Sequence, residues 1–143
     1  MKVLNAKLAT RSSEQGLRMK IKGTIVTGLG ESGKFLAVDW VNRAVCDAFQ
    51  FTPFNGTLNV DVGDPSIQRS LIERDSGRIT AADPGFCDAI TAKGRINNRY
   101  ECGVIIPLVP NYPEHILEIV APVHIKNALG LNDGDEVEVE FED

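Results

Sequence analysis

In the segment Asp135 to Glu142, acidic and apolar residues alternate one by one from Glu136 onward, and the preceding Asn132-Asp133-Gly134 has the composition of a tight turn. Side chains on a β-strand leave opposite faces in turn, so strict alternation indicates a strand with one face buried and one face in water. Thr57 to Val62 shows the same alternation. Short half-buried strands of this kind restrict the chain to a fold in which a sheet covers a single core.

The remaining elements predicted along the chain are also short. We predict strands at about 19–27, 34–38, 57–62, 87–94, 100–106, 116–121 and 135–142, and helices at about 39–49, 66–73 and 123–129. The best helical pattern has Asp39 as its N-cap, followed by an apolar stripe of Trp40, Val41, Ala44, Val45, Ala48 and Phe49. Six or more strands with two or three short helices predict a mainly β (α+β) fold, a small β-barrel with helical connections.

The chain of 143 residues is expected to form one barrel domain over residues 19–143. Residues 1–18 contain a polar, weakly patterned stretch and are interpreted as an N-terminal arm or an added strand. Residues 63–85 are rich in Asp, Ser, Gly and Pro, and they predict a long excursion that carries the short second helix.

Composition limits the classes of partner. A formal net charge of −5 leaves no basic surplus for binding a nucleic-acid backbone. No apolar run reaches the length of a membrane span, and the N-terminus lacks the apolar core of a signal peptide. The three cysteines are widely spaced, which favours free thiols in a reducing compartment. We therefore expect a cytoplasmic protein that binds neither nucleic acid nor membrane.

The segment Gly28-Leu-Gly-Glu-Ser-Gly-Lys34, here called the glycine loop, fits two phosphate-binding patterns. It matches G-x-G-x-x-G, and it matches a Walker A loop except that Phe35 stands where Ser or Thr is required. Both patterns need a helix directly after the loop, whereas residues 34–38 predict a strand. The loop is therefore expected to join two strands, like the glycine-rich flap over the nucleotide phosphates of protein kinases. A plain glycine-rich hairpin turn is the alternative.

Two further positions carry polar groups suited to a ligand site. Thr57 and Asn59 lie two residues apart on a predicted strand, so both side chains leave the same face. Their neutral oxygens could complete the oxygen shell of Mg²⁺ together with phosphate and water. The alternative is that both side chains only make turn hydrogen bonds.

Glu118 lies within an apolar run, so its carboxylate faces either solvent or a pocket that offers it a partner. His115 and His124 are the only histidines, and neither has a carboxylate at the spacing of a catalytic triad or a metal site. Both histidines are interpreted as surface or pocket-wall residues.

Four segments occur together in the order and spacing of one family. They are Gly23-Thr-Ile-Val-Thr-Gly-Leu-Gly-Glu31, Phe54-Asn-Gly-Thr-Leu-Asn-Val60, Ile116-Leu-Glu-Ile-Val-Ala-Pro122 and Leu131-Asn-Asp-Gly-Asp-Glu-Val137. On these segments the chain resembles the archaeal-type CTP-dependent riboflavin kinases over about residues 20–142. The pairing of the glycine loop with Gly56-Thr-Leu-Asn59 is the most specific part of the resemblance.

The resemblance implies a six-stranded cradle-loop barrel that transfers the terminal phosphate of CTP to the 5′-hydroxyl of riboflavin, giving FMN and CDP. It implies Mg²⁺ on Thr57 and Asn59, and a flavin contact at Glu118. The implied nucleotide contacts are Gly28, Leu29, Gly30, Glu31, Ser32 and Gly33 in the glycine loop, and Val123, His124, Ile125, Lys126, Asn127 and Ala128 after the third segment. Lys34 or Lys126 would supply a positive charge near the phosphates, and no general base is assigned.

The sequence departs from the family pattern in three places. Ser32, Gly33 and Lys34 stand where the family has a glycine, a basic or small residue and an aromatic residue. Pro110 aligns with a flavin-contacting threonine, and proline has neither a hydroxyl nor a backbone N–H. Residues from about 63 to 100 also match poorly. The open alternatives are a barrel that binds a flavin or nucleotide without catalysis, a structural or regulatory barrel, and a kinase with another donor or acceptor.

Overall fold

The structure is a computed structural model that describes residues 19–28 and 35–142. The predictions for residues 1–18 and for Leu29 to Lys34 lie outside the described residues. The described strands are β1 Met19–Val26, β2 Leu58–Asp61, β3 Arg78–Ile79, β4 Ala89–Ile96, β5 Tyr100–Pro107, β6 Ile116–Val120 and β7 Glu136–Phe141, and the helices are α1 Asp39–Phe49, α2 Pro65–Arg74 and α3 Ile125–Leu129.

Six of these strands form a closed antiparallel barrel. Neighbouring strands follow the order β4-β5-β6-β2-β1-β7, and β7 also pairs with β4, which closes the ring. The closing seam pairs Gly94 with Phe141 and Ile96 with Val139. The two-residue strand β3 pairs with β4 outside this ring. The predicted mainly β barrel with a few short helices is confirmed.

Alternation of side chains fills the barrel. In β1, Met19, Ile21, Gly23 and Ile25 are buried, while Lys20, Lys22 and Thr24 are exposed. β7 likewise buries Val137, Val139 and Phe141 and turns its glutamates outward. The charged face of β7 can therefore remain in water while its apolar face joins the core, as the sequence pattern predicted.

Helix α1 packs on the outside of the barrel and makes a second core. It buries Val41, Val45 and Phe49 against Ile105 and Val120, among others. The backbone of β5 comes close to this helix, since a β-carbon on Gly103 would lie 2.2 Å from the Phe49 ring. The apolar stripe predicted for this helix is thus the face that anchors it.

Two local predictions near α1 are wrong. Phe35 and Leu36 are helical, so the glycine loop does not lead into a strand over 34–38. Leu36 is buried in the second core, and this packing overrides the strand preference of its apolar run. The N-cap is Val38, and Asp39 is the first helical residue. There its carboxylate is stabilised by the positive end of the helix dipole.

Helix α2 confirms the short helix predicted within the 63–85 excursion. Asp64 caps it by accepting a 2.9 Å hydrogen bond from the Ser66 N–H, and Pro65 occupies its first turn. Its buried Gln68 donates to the backbone oxygens of Pro113 and Ile116 at 3.1 and 2.9 Å. The excursion therefore holds the chain that leads into β6.

None of the helices within residues 19–28 and 35–142 has the length and apolar character that a membrane span requires.

Candidate functional site

A cavity of about 200 Å³ lies between the start of β2, the end of β6 and the start of α3. Its walls are Phe54, Asn55, Gly56, Thr57, Leu58, Ile119, Ala121, Val123, His124, Ile125 and Lys126. The lining combines apolar side chains with hydroxyl, amide, imidazole and ammonium groups. This mixture suits a ligand that carries both an aromatic ring and charged groups.

The side chains next to this cavity are brought together by the pairing of β2 with β6. Asn59 lies directly opposite Glu118 in the strand register, so the two side chains stand beside each other on the sheet. The Thr57 hydroxyl donates a 3.2 Å hydrogen bond to Glu118 Oε1. The structure therefore joins the two positions predicted to bind metal to the one predicted to contact a flavin.

The start of the glycine loop lies against the same group. A β-carbon on Gly28 would lie 2.1 Å from Asn59 Nδ2 and 3.4 Å from Oδ1. Only glycine allows the backbone to pass so close to this amide. Of the predicted glycine-loop contacts, Gly28 is described, and Leu29, Gly30, Glu31, Ser32 and Gly33 lie outside the described residues.

Glu118 has a second partner, which the sequence analysis missed. The Tyr112 hydroxyl donates to Glu118 Oε2. Burial, reinforced by this hydrogen bond, raises the pKa of Tyr112 well above its usual value, so the phenol keeps its proton. Tyr112 follows an exposed turn at Pro110 and Asn111.

The chemistry of these groups fits Mg²⁺. Thr57 offers a hydroxyl oxygen and Asn59 an amide oxygen, with the Glu118 carboxylate adjoining. Mg²⁺ prefers such hard oxygen ligands and usually completes its octahedron with water and substrate phosphates. Among the described residues, no group of three or more His, Cys, Asp or Glu side chains could hold a metal ion.

Helix α3 presents its first turn to the cavity. His124 is its N-cap, with Nδ1 accepting a 3.2 Å hydrogen bond from the Asn127 N–H. The Phe54 ring meets the His124 ring edge to face at 4.9 Å. Phe54 is 43% exposed at the cavity wall, although the sequence analysis did not single it out. His124 is thus a pocket-wall residue, as predicted.

A carboxylate behind the cavity connects α3 to the base of the glycine loop. Asp133 accepts hydrogen bonds from Lys126 Nζ at 2.5 Å and from the Thr27 hydroxyl at 2.6 Å. The Lys126 bond, and then that from Thr27, hold the pKa of the Asp133 carboxyl below its usual value. Sequence analysis treated Asp133 only as part of a turn, because its partners are distant along the chain.

Most of the predicted site residues that the structure describes are therefore gathered in one region. Thr57 and residues 123–126 line the cavity, Asn59 and Glu118 adjoin Thr57, and Gly28 lies on Asn59. Asn127 and Ala128 belong to α3 but are not among the residues that line this cavity.

Fold and site together define a small closed β-barrel protein with a cavity of mixed polar and apolar lining between β2, β6 and α3. A family model labelled CTP-dep_RFKase, and described as Domain of unknown function DUF120, matches residues 25–141. The chain belongs to this family, and the resemblance seen in the sequence is confirmed.

Curated archaeal relatives match most of the chain. The riboflavin kinase of Pyrobaculum arsenaticum is 35% identical over 130 residues, which are 85% of this chain and 60% of the relative. That of Methanobrevibacter smithii is 34% identical over 124 residues, 86% of this chain and 100% of the relative. That of Saccharolobus solfataricus is 33% identical, covering 85% and 73%. The chain spans about three-fifths of the length of several curated relatives it matches.

Proposed function

We propose that this protein is a riboflavin kinase that transfers the terminal phosphate of CTP to the ribityl 5′-hydroxyl of riboflavin, giving FMN and CDP with Mg²⁺ as the cofactor. The observation that carries the proposal is the hydrogen bond between Thr57, which we propose as a metal ligand, and Glu118, which we propose as a flavin contact. The family match and the relatives named riboflavin kinase support the reaction, and the family label supports CTP as the donor.

Phosphoryl transfer requires mainly that donor and acceptor be held in line and that the charge on the phosphates be offset. Bound at Thr57 and Asn59, Mg²⁺ would supply that charge compensation. The backbone that starts at Gly28 would approach the phosphates closely, and Lys126 would add a positive charge at the cavity rim. Glu118 would bind the acceptor through its carboxylate.

The nucleotide would enter the 200 Å³ cavity from the side of α3. Phe54 and His124 form an aromatic wall there, while Thr57 lines the cavity towards Glu118. This arrangement would place the base at the aromatic wall and the phosphates towards Thr57.

The three free cysteines are consistent with a reducing, cytoplasmic location.

The decisive experiment incubates the purified protein with riboflavin, Mg²⁺ and, separately, CTP, ATP, GTP or UTP, and resolves FMN by chromatography. We expect FMN with CTP and little with the other three. FMN with a different nucleotide would keep the kinase and replace the donor. Riboflavin binding without FMN from any nucleotide, in a folded protein, would show a non-catalytic flavin-binding barrel instead.

A further inference from the structure

We propose that Tyr112 is a positioning residue that acts through Glu118 to fix the direction of the Thr57 hydroxyl, and thereby sets the affinity of this site for its divalent cation. The inference rests on the proposed function, because it takes Thr57 as a metal ligand. It adds a residue from the loop between β5 and β6, which neither the motifs nor the cavity lining indicates.

The geometry makes Glu118 a bridge between two hydroxyl groups. Thr57 donates to Oε1 and Tyr112 donates to Oε2, so each carboxylate oxygen has its own donor. All three side chains are partly buried. A carboxylate held at both oxygens cannot rotate without breaking one of these bonds, so Tyr112 fixes the orientation that Thr57 meets.

The loop that carries Tyr112 is itself held in place. Gln68 of α2 donates to the backbone oxygens of Pro113 and Ile116, and the Val62 N–H donates to the His115 oxygen at 2.8 Å. These bonds flank Tyr112 on its C-terminal side. The backbone that follows Tyr112 is therefore held by the fold, independently of any ligand.

The consequence for a cation follows from the single proton of the Thr57 hydroxyl. When that proton points to Glu118, the oxygen lone pairs point away from the carboxylate, which is the side from which a metal ion would approach. Outer-shell partners that orient a ligand in this way typically change metal affinity by about 10- to 100-fold when they are removed. Tyr112 lies one step further out, so we expect a smaller loss, about three- to tenfold.

The test compares Tyr112→Phe with the control Tyr100→Phe, which removes the hydroxyl of the other tyrosine. Tyr100 is the first residue of β5, and the Arg99 guanidinium lies over its ring. ¹⁵N-labelled protein is titrated with Mg²⁺ alone, and the amide signals of Leu58 and Asn59 report the midpoint. We expect Tyr112→Phe to raise that midpoint about three- to tenfold, and Tyr100→Phe to leave it unchanged. An unchanged midpoint in Tyr112→Phe would overturn the proposal.

A double-mutant cycle separates positioning from a general structural effect. Thr57→Val removes the hydroxyl at similar volume, and adding Tyr112→Phe to it should then cause no further loss of Mg²⁺ affinity. Additive losses would show that Tyr112 acts by another route and would overturn the inference. The titration needs no turnover, so it still decides the role of Tyr112 if the wild-type protein forms no FMN, a result that would contradict only the proposed function.

Discussion

The backbone at Gly28 runs directly over the side chain of Asn59, so closely that a β-carbon on Gly28 would lie 2.1 Å from the Asn59 amide nitrogen. The first residue of the glycine loop and the last residue of Gly56-Thr-Leu-Asn59 are therefore in contact. The glycine loop therefore begins directly over a proposed metal ligand.

Gly28→Ala should lower the rate of FMN formation at least tenfold while leaving the barrel folded. The added methyl group must displace the Asn59 amide, whereas Gly28 lies outside the main core clusters. The rate is measured at saturating riboflavin, with circular dichroism to verify the fold. Gly85→Ala is the matched control, because a β-carbon there meets nothing within 4 Å. Equal rates in the two variants would contradict the proposed role of this contact.

Asn59→Ala should reduce turnover more than tenfold, because it removes one of the two proposed protein ligands of Mg²⁺. The expected signature is a higher Mg²⁺ requirement, seen when the rate is followed against Mg²⁺ concentration. Asn59 is only partly buried, so the melting temperature should change little. An unchanged Mg²⁺ requirement would remove Asn59 from the metal site.

Local patterns predicted the parts of this molecule that depend on local order. The alternation from Glu136 to Glu142 indicated β7, and the spacing of Thr57 and Asn59 placed them together. The strand predicted at 34–38 was wrong because these residues favour a strand locally, whereas Leu36 packs in the core around α1. Contacts between distant residues left no local signal: Thr27 and Asp133 are 106 positions apart.

Asp133→Asn should raise the KM for the nucleotide about two- to fivefold, the range expected for losing an exposed ion pair. The change removes the counter-charge that holds Lys126 at the cavity rim. Steady-state kinetics with varied nucleotide would measure it. Asp75→Asn is the control, because Asp75 also forms an exposed ion pair, with Arg78 at the end of α2. A KM equal to that of wild type would show that Lys126 needs no such support.

The same carboxylate has a defined pH dependence. The hydrogen bond from Lys126 first, and that from Thr27 second, lower the pKa of the Asp133 carboxyl. The carboxylate therefore stays charged at pH values where an ordinary aspartate begins to take up a proton, and it loses its charge only at lower pH. The Asp133 carboxylate is therefore charged throughout an assay range of about pH 5 to about pH 8. Over that range the ratio of KM values of Asp133→Asn and wild type should be constant, and a ratio that changes there would contradict this assignment.

Cys102 should be unreactive in the folded protein. Burial raises the pKa of this thiol to about 12, and the side chain lies in the barrel core. Cys46 and Cys87 are half-buried. Titration with a chromogenic disulfide at pH 8 should modify at most these two thiols, with the third reacting only after unfolding.

Because the raised pKa of Cys102 belongs to the folded state, the stability of the protein should also fall as pH rises from 9.0 towards 12.

Gly94→Ala should destabilise the barrel at its closing seam. A β-carbon there would lie 2.5 Å from the backbone oxygen of Glu140 and 3.1 Å from the Phe141 ring, on the β4–β7 pairing that completes the ring of strands. A backbone oxygen within a strand ladder cannot move aside as a side chain can, so the two strands must separate locally. Overpacking of this kind costs about 1–3 kcal/mol, which corresponds to a fall in melting temperature of about 4–12 °C. Thermal unfolding followed by circular dichroism measures the shift, and Gly85→Ala again serves as the control. A melting temperature equal to that of the control would mean that the seam tolerates a wider spacing than the strand register indicates.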